Sequence, residues 1–319
     1  MLDQSLLQWL EEHHCDGVNL NVAELLQYQN KTSLIDLAPR RTVQAKLAGS
    51  YLTRTKGRGM EFDEARHYQP GDDIRAIDWR VTARTGKTHT KLFREEKERP
   101  VFVVADLSQS MRFGTQLLFK SVQCAHLSAL IAWAAQKRGD RIGGIIFNQH
   151  QHKEFKPQTR HRAVLALCHG LLALHGDDSD KEPTSSTSLA DALARTRRLA
   201  KPGSTVYVLS DFSQLDNICV QHLTQLSRHC EVVAFSISDP FEHQLPDVAT
   251  PQSVLVTDGR NDQRIVLGDK QQSDDYARQH SQHFENIAHQ LRLANVRVLP
   301  ICAGKPLADQ VQFGKKGKR

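Results

Sequence analysis

Continuous apolar runs alternate with segments of helical periodicity along the C-terminal two thirds of the chain. Four of these runs are typical of strands buried on both faces of a sheet: VFVVAD at 101–106, RIGGIIF at 141–147, STVYVLSD at 204–211 and EVVAFSI at 231–237. A segment with helical spacing runs from Gln116 to Arg138, and Gly139 is a suitable helix stop. Because parallel strands need crossover helices, this alternation predicts an α/β fold with a mostly parallel, doubly wound sheet.

Weaker patterns complete the chain. They predict helices through 189–199, 215–226 and 276–291, a hairpin at 254–268 and a last strand at 296–301. Short amphipathic helices at 3–12 and 22–28 precede a basic, turn-rich stretch. We therefore divide the chain into a helical and turn-rich N-terminal region (1–98), an α/β domain (99–303) and a basic C-terminal tail (304–319). The N-terminal region is expected to contain a small subdomain packed on the larger domain.

The composition is that of a globular protein, with 39% hydrophobic and 24% charged residues in 319. The longest strongly apolar run, LSALIAWAA, is far shorter than the roughly twenty residues of a membrane-spanning helix. The N-terminus has an early Asp and no basic start, unlike a signal peptide. Six scattered cysteines without a CxxC pair argue against a disulfide framework or structural zinc. We expect a cytoplasmic protein with no integral membrane segment.

The net charge of +6 is concentrated in two basic clusters, at 39–59 and in the terminal KKGKR. Such a charge can attract nucleic acid, anionic lipid or an acidic protein. Aromatic residues make up only 6% and do not interleave with these clusters, which disfavours a stacking platform for single strands. We favour solvated charge, and salt-sensitive binding of nucleic acid through 39–58 remains a minor alternative.

Oxygen-bearing side chains lie at three turns that the predicted topology brings to the carboxyl edge of the sheet: Asp106, Ser108, Ser110, Thr187 and Asp211. Open α/β sheets bind ligands at this edge, where the strand order reverses. Carboxylates and hydroxyls suit a hard cation such as Mg²⁺. With two carboxylates, the ion keeps positive character and an open position, which favours capture of a partner's Asp or Glu. The alternative is that these residues cap helices.

Three motifs resemble a known metal site. DLSQSM at 106–111, TSL at 187–189 and LSDF at 209–212 resemble the metal-ion-dependent adhesion site (MIDAS) of von Willebrand factor type A domains. There an Asp, two Ser, a Thr and a second Asp bind Mg²⁺ or Mn²⁺, which implies the same role for the matching residues: Asp106, Ser108, Ser110, Thr187 and Asp211. Ser185 and Ser186 stand where related sequences often have two glycines, which implies a stiffer loop.

A longer segment, from Gly57 to Gly114, resembles the bacterial DUF58 family that is found with MoxR-type AAA+ ATPases. The resemblance implies a von Willebrand factor type A-like fold and a MoxR-type ATPase as partner. It also implies a chaperone-like role in assembling or activating protein complexes. Many members carry N-terminal membrane helices that this sequence does not show, so membrane anchoring is not implied.

An acidic segment allows an enzymatic interpretation. Its carboxylates could form the acid cluster of a hydrolase or nuclease: Glu61, Asp63, Glu64, Asp72, Asp73 and Asp78. We favour a structural motif, in which Arg66 and Arg75 pair with these acids while Tyr68 and Trp79 pack beneath them. The chain contains no P-loop, nucleophile elbow or Rossmann fingerprint.

The leading hypothesis is therefore a metal-dependent protein-binding adaptor that is not an enzyme and that grips an acidic residue of its client through Mg²⁺ or Mn²⁺. The alternative is a metal-dependent hydrolase or nuclease in which the same cation activates water. That chemistry would need a general base beside the ion, and the sequence identifies none.

Overall fold

The computed structural model describes residues 4–37, 60–95, 99–176, 187–248, 250–257 and 262–311. The chain forms two compact units, a large one made of residues 1–43 and 99–319 and a small one made of residues 44–98. This division differs from the boundary predicted at residue 98, because the first 43 residues belong with the α/β domain. The basic clusters at 39–59 and 315–319 lie outside the described residues.

The helices and strands follow in chain order. The helices are α1 (Gln4–Glu12), α2 (Val22–Leu26), α3 (Trp79–Thr85), α4 (Lys120–Lys137), α5 (His161–His175), α6 (Leu189–Leu199), α7 (Asn217–Ser227), α8 (Pro240–His243), α9 (Lys270–Leu293) and α10 (Leu307–Gln310). The strands are β1 (Met60–His67), β2 (His89–Glu95), β3 (Pro100–Asp106), β4 (Arg141–Phe147), β5 (His152–Gln158), β6 (Thr205–Ser210), β7 (Glu231–Ser238), β8 (Gln252–Thr257), β9 (Asp262–Leu267) and β10 (Arg297–Cys302).

The large unit is built on a sheet with the strand order β10, β7, β6, β3, β4, β5. Neighbouring strands pair in parallel, except for the antiparallel pair of β4 and β5. From β3 the chain passes through α4 to β4 on one side, whereas β6 and then β7 lie on the other side. The predicted mostly parallel, doubly wound α/β sheet is confirmed.

The central strands of the sheet contribute alternate side chains to two cores, one on each face of the sheet. In β3, Val101 and Val103 join the core formed with α4 and α5. Phe102 and Val104 join the opposite core, formed with α6, α7 and α9. Burial on both faces explains why the strands are continuous apolar runs, from which they could be predicted.

The N-terminal segment covers the side of α4 that faces away from the sheet. Leu25 is fully buried, and its carbonyl accepts a hydrogen bond of 3.1 Å from Trp133 Nε1. Lys137 Nζ donates to Thr32 Oγ1 at 3.1 Å. At Gly17, whose φ is +81°, an added Cβ would lie 2.3 Å from the Leu117 carbonyl oxygen, so the close approach of these backbones requires glycine. These contacts place residues 4–37 in the large unit.

Helix α4 begins at Lys120, later than the predicted start near Gln116. The reason is that the preceding backbone is bonded elsewhere. The Leu118 amide donates to the Ala303 carbonyl at 3.2 Å, and the Phe119 amide donates to the Gly17 carbonyl at 2.8 Å. The other predicted elements lie within a few residues of the observed ones, and β8 and β9 form the predicted antiparallel hairpin.

The small unit pairs β1 with β2 in antiparallel fashion, and its acidic side chains have local structural roles. Arg66 Nη2 binds Asp72 Oδ1 at 2.7 Å, as the structural interpretation expects. Asp73 and Asp78 accept backbone amides at the starts of a 3-10 turn and of α3. Trp79 is 67% exposed, so the expectation that it packs beneath the acids is wrong. The side chains of Glu61, Asp63 and Glu64 lie outside the described part.

Among the described residues, no helix is both long enough and apolar enough to cross a bilayer.

The packing of Leu25 can be tested by truncation. Leu25→Ala should lower the free energy of unfolding by about 3 kcal/mol, because it leaves a cavity between α2 and α4. Leu7→Ala is the matched control, because Leu7 is 44% exposed and its truncation should cost less than about 0.5 kcal/mol. Chemical denaturation followed by circular dichroism measures both. Equal losses for the two variants would contradict the docking of the N-terminal segment on α4.

Candidate metal site

The carboxyl ends of β3 and β6 are adjacent in the sheet, at the point where the strand order reverses. Asp106 is the last residue of β3, and Asp211 directly follows β6. Both side chains are buried, with relative exposures of 2% and 5%. The predicted topology therefore brings the two aspartates to one place, as the sequence analysis requires.

Asp106 is held by two hydrogen bonds to its carboxylate. Oδ1 accepts from the Ser108 amide at 2.9 Å, which closes a tight turn after β3. Oδ2 accepts from Ser210 Oγ at 2.6 Å, which joins the ends of β3 and β6. Ser108 is 1% exposed, and its hydroxyl lies 3.4 Å from that of Ser110. The first motif thus gathers one carboxylate and two hydroxyls in a single turn.

The loop after β6 supplies the second carboxylate and a further hydroxyl. Asp211 Oδ1 accepts from the Ser213 amide at 2.9 Å. Ser213 Oγ donates to Ser110 Oγ at 3.1 Å, so the two loops touch through their serines. Between Asp211 and Ser213, Phe212 has a positive φ of 59° and is 1% exposed, which turns the chain sharply at this point. The sequence analysis did not select Ser213 or Ser210, although both flank Asp211.

Helix capping does not account for these residues. Helix α7 is capped by Asp216, which accepts the Cys219 amide at 2.7 Å, and not by Asp211. Helix α6 is capped by Ser188 in a capping box with Asp191, and not by Thr187. Ser108 makes no side-chain cap bond to the 3-10 turn that follows it. The side-chain oxygens of Ser108, Thr187 and Asp211 are therefore not engaged in capping these helices.

Thr187 lies at the same edge of the sheet, beside the turn that follows β4. Its amide donates to the Gln149 carbonyl at 3.2 Å, and its side chain is half-buried. Within the described ranges, no hydrogen bond joins the Thr187 hydroxyl to the loops that carry Asp106 and Asp211. The preceding residues Ser185 and Ser186 lie outside the described part. The structure therefore joins four of the predicted residues and leaves Thr187 nearby.

A lysine that the sequence analysis missed completes the site. Lys120, the first residue of α4, is 2% exposed, and its Nζ lies 2.9 Å from Asp211 Oδ2 and 2.6 Å from Glu242 Oε1. Nζ also lies 6.0 Å from the centre of the Phe113 ring. A cation at the first position of a helix opposes the helix dipole. That unfavourable position, at the start of an apolar helix, was the available signal in the sequence.

Comparison with known proteins identifies the family. The family model described as "Protein of unknown function DUF58" matches residues 64–286. The chain belongs to the DUF58 family. Uncharacterized proteins of Mycobacterium tuberculosis and Mycobacterium bovis are each 28% identical over 300 residues, which cover 89% of this chain and 88% of theirs.

Solved structures resemble this DUF58 chain at low identity. An aerotolerance-related membrane protein from Bacteroides fragilis matches at 13% identity and a TM-score of 0.42, covering 67% of this chain and 94% of that one. The von Willebrand factor type A domain of SpRpn10 matches at 8% identity and a TM-score of 0.36, with the same coverage. The fold itself is established by the strand order and the crossover helices, independently of these alignments.

The ionisable groups of the candidate site in this DUF58 protein have pKa values shifted in different directions. Burial and the neighbouring Asp211 charge raise the pKa of Asp106 to about 6. Burial would also raise the pKa of Asp211, but the Lys120 ammonium and the Ser213 amide hold it below its ordinary value. Burial opposes the charge on Lys120, yet Asp211 and Glu242 outweigh it and raise the pKa of Lys120. Lys120 is therefore protonated and satisfies Asp211, whereas none of the described cationic side chains forms an ion pair with Asp106.

The residues present fit a hard divalent cation. Two buried carboxylates, those of Asp106 and Asp211, and the partly exposed carboxylate of Glu242 share this region with the ammonium of Lys120, so among the described groups the carboxylates outnumber the cations. The surrounding ligands are carboxylate and hydroxyl oxygens, which Mg²⁺ and Mn²⁺ prefer. Asp106 would be the principal charged ligand, because Lys120 already occupies one oxygen of Asp211.

Replacing the buried lysine tests this charge balance. Lys120→Met should lower the free energy of unfolding by about 3 kcal/mol in chelator, because it leaves Asp211 and Glu242 without their cation. Mg²⁺ should restore part of the loss, since the ion would then neutralise the same carboxylates. Thermal denaturation in EDTA and in Mg²⁺ measures both effects.

The matched control is Lys270→Met, because Lys270 is likewise the first residue of a helix, α9, but is exposed. It should change the stability by less than about 0.5 kcal/mol with or without Mg²⁺. If Lys120→Met were as stable as the control in chelator, the buried ion pair would not have the role described here.

Proposed function

We propose that this DUF58 protein is a protein-binding adaptor that holds Mg²⁺ or Mn²⁺ at the β3–β6 edge of its von Willebrand factor type A-like domain. The proposed ligands are those selected from the sequence: Asp106, Ser108, Ser110, Asp211 and, as the most distant, Thr187. An acidic residue of a protein partner would complete the coordination of the ion. The observation that carries the proposal is the pair of buried aspartates at the switch point, joined by serine hydroxyls, while other residues cap the helices.

Lys120 favours capture of an external acid. Its ammonium offsets the charge of Asp211, so an ion bound beside Asp106 would keep more of its positive charge than it would with two unpaired aspartates. A cation with residual positive charge attracts a carboxylate from outside. Lys120 thus supports the binding interpretation, although it is not itself a ligand of the ion.

Catalysis is the weaker interpretation of the same site. A hydrolase would need a general base next to the ion. Among the described residues, the amine that contacts Asp211 is that of Lys120, which its raised pKa keeps a cation at neutral pH. The neighbouring Glu242 carboxylate is paired with the same ammonium. We therefore propose a function in binding and not in turnover.

The proposed partner is a MoxR-type AAA+ ATPase, with which the adaptor would assemble or activate protein complexes. Residues 57–114 support this partner through their resemblance to the DUF58 segment described above. The chain carries no P-loop of its own, so ATP hydrolysis would belong to the partner. All six cysteines are free thiols, which fits the reducing cytoplasm where we expect the adaptor to act.

Ion binding can be measured directly. The wild-type protein should bind one equivalent of Mn²⁺, followed by electron paramagnetic resonance and displaced by Mg²⁺. Asp106→Asn and Asp211→Asn should each weaken binding roughly tenfold or more, because each removes a charged oxygen ligand. Asp216→Asn is the control, since Asp216 caps α7 on the same loop and asparagine preserves the cap. The metal site would be refuted if the wild type showed no saturable Mn²⁺ binding, or if all the variants bound Mn²⁺ as tightly as the wild type.

Partner binding needs a separate measurement. Recovery of the MoxR-type ATPase from the same organism on the immobilised full chain should be high in Mg²⁺ and fall in EDTA. Asp106→Asn should reproduce the effect of EDTA, and Asp216→Asn should not. Recovery that is indifferent to the chelator and to Asp106→Asn would show that the ion does not govern this interaction.

A further inference from the structure

A second cluster of potential metal ligands lies beneath the N-terminal segment, away from the β3–β6 edge. It consists of Cys15 after α1, Glu24 in α2 and His126 in the middle of α4. The ligand atoms of the three residues lie within 4.8 Å of one another, and all three residues are buried. Within the described part of the chain, this is the group of three His, Cys, Asp or Glu residues whose geometry could hold an ion.

The cluster is anchored on three sides. Asn21 caps α2 and also donates from Nδ2 to Glu24 Oε1, which fixes the carboxylate. His126 Nε2 lies 3.0 Å from Glu24 Oε2, and the Tyr28 ring lies 5.4 Å from the imidazole, centre to centre. The Cys15 sulfur accepts the Gly17 amide at 3.4 Å. Hydrogen bonds and a ring contact with neighbouring residues therefore hold the three groups in place.

The protein's own hydrogen bonds do not saturate the cluster. Nδ1 of His126 is buried and has no hydrogen-bond partner among the described residues. The side chain of Glu24 is only 1% exposed, and burial of a carboxylate is costly unless a cation or several donors compensate it. Glu24 accepts from Asn21 Nδ2 and faces both His126 Nε2 and the Cys15 thiol, so a cation bound among the three residues would supply positive charge in place of the imidazole and thiol protons.

We infer that Cys15, Glu24 and His126 form a site for Zn²⁺ that joins the N-terminal segment to α4. One sulfur, one nitrogen and one oxygen ligand are the mixed set that zinc accepts, whereas Mg²⁺ and Ca²⁺ require oxygen ligands. This inference is independent of the proposed function, because none of the three residues contacts the β3–β6 edge loops in the bonds described above. It also differs from the expectation drawn from the cysteine spacing, which argued against structural zinc.

The distances suit insertion of an ion. Tetrahedral zinc with bonds of about 2.0–2.3 Å places its ligand atoms roughly 3.3–3.6 Å apart. The His126–Glu24 separation of 3.0 Å is that of a hydrogen bond and would open by a few tenths of an ångström. On binding, the S–H bond of Cys15 would break, its proton would be released to solvent and a zinc–sulfur bond would form. Three protein ligands would leave a fourth position for water.

The test uses the full chain and two metals. After removal of bound metal, the protein should take up one equivalent of Zn²⁺, and Co²⁺ in its place should give the near-ultraviolet absorption of a thiolate–cobalt bond. Cys15→Ser and His126→Gln should each weaken Zn²⁺ binding roughly 100-fold. Zn²⁺ should raise the melting temperature of the wild type and not of Cys15→Ser.

Two control variants separate the outcomes. Cys219→Ser should bind Zn²⁺ like the wild type, because Cys219 is a buried thiol of α7 whose donation to the Gln214 carbonyl a serine can keep. Asp106→Asn should also bind Zn²⁺ normally, so failure of this site is distinguishable from failure of the proposed function. A wild-type cobalt complex without thiolate absorption would overturn the inference even if Cys15→Ser failed to fold. Unchanged binding by Cys15→Ser would overturn it as well.

Discussion

The buried ion pair between Lys120 and Asp211 is the constraint on which the functional edge of this protein depends. The Lys120 ammonium links the segments that follow three strands. Lys120 begins the helix after β3, Asp211 follows β6, and Glu242 lies in α8 after β7. Removing these charges from water is costly, and the cost is offset only when all three groups keep their geometry. The loops at this edge are therefore fixed relative to one another before any ligand arrives. Such preorganisation favours binding, because little conformational entropy remains to be lost.

The architecture was predictable because two separate cores require it. Strands β3, β4, β6 and β7 bury both faces, so each is a continuous apolar run that stands out in the sequence. The docking of residues 4–37 was not predictable in the same way. Their helices are short. The α4 residues that they contact, His126, Trp133 and Lys137, are an imidazole, an indole and an ammonium that form no apolar repeat of their own. Which surface a short amphipathic helix covers is a property of tertiary packing, and a pattern along the chain does not contain it.

The candidate site was likewise predictable only in part from the sequence. The motif residues Asp106, Ser108, Ser110 and Asp211 were identified because the ends of parallel strands meet at one edge of the sheet. The position of Lys120 at the start of an apolar helix was a weak signal, because a lysine near a helix start is usually solvated, and its burial beside Asp211 is a result of the tertiary structure. The sequence also could not separate capping from coordination. That distinction depends on Ser188 and Asp216, which cap α6 and α7 and so release Thr187 and Asp211.

Helix α4 carries groups from both candidate cation sites. Lys120 and His126 are six residues apart on a helix that rises about 1.5 Å per residue, so their Cα atoms are separated by roughly 9 Å along its axis. The ligand chemistry nevertheless keeps the sites distinct, because Asp106 and its serines offer only oxygen, whereas Cys15 offers sulfur. Hard and borderline cations would therefore sort between the two sites according to the type of ligand that each site offers.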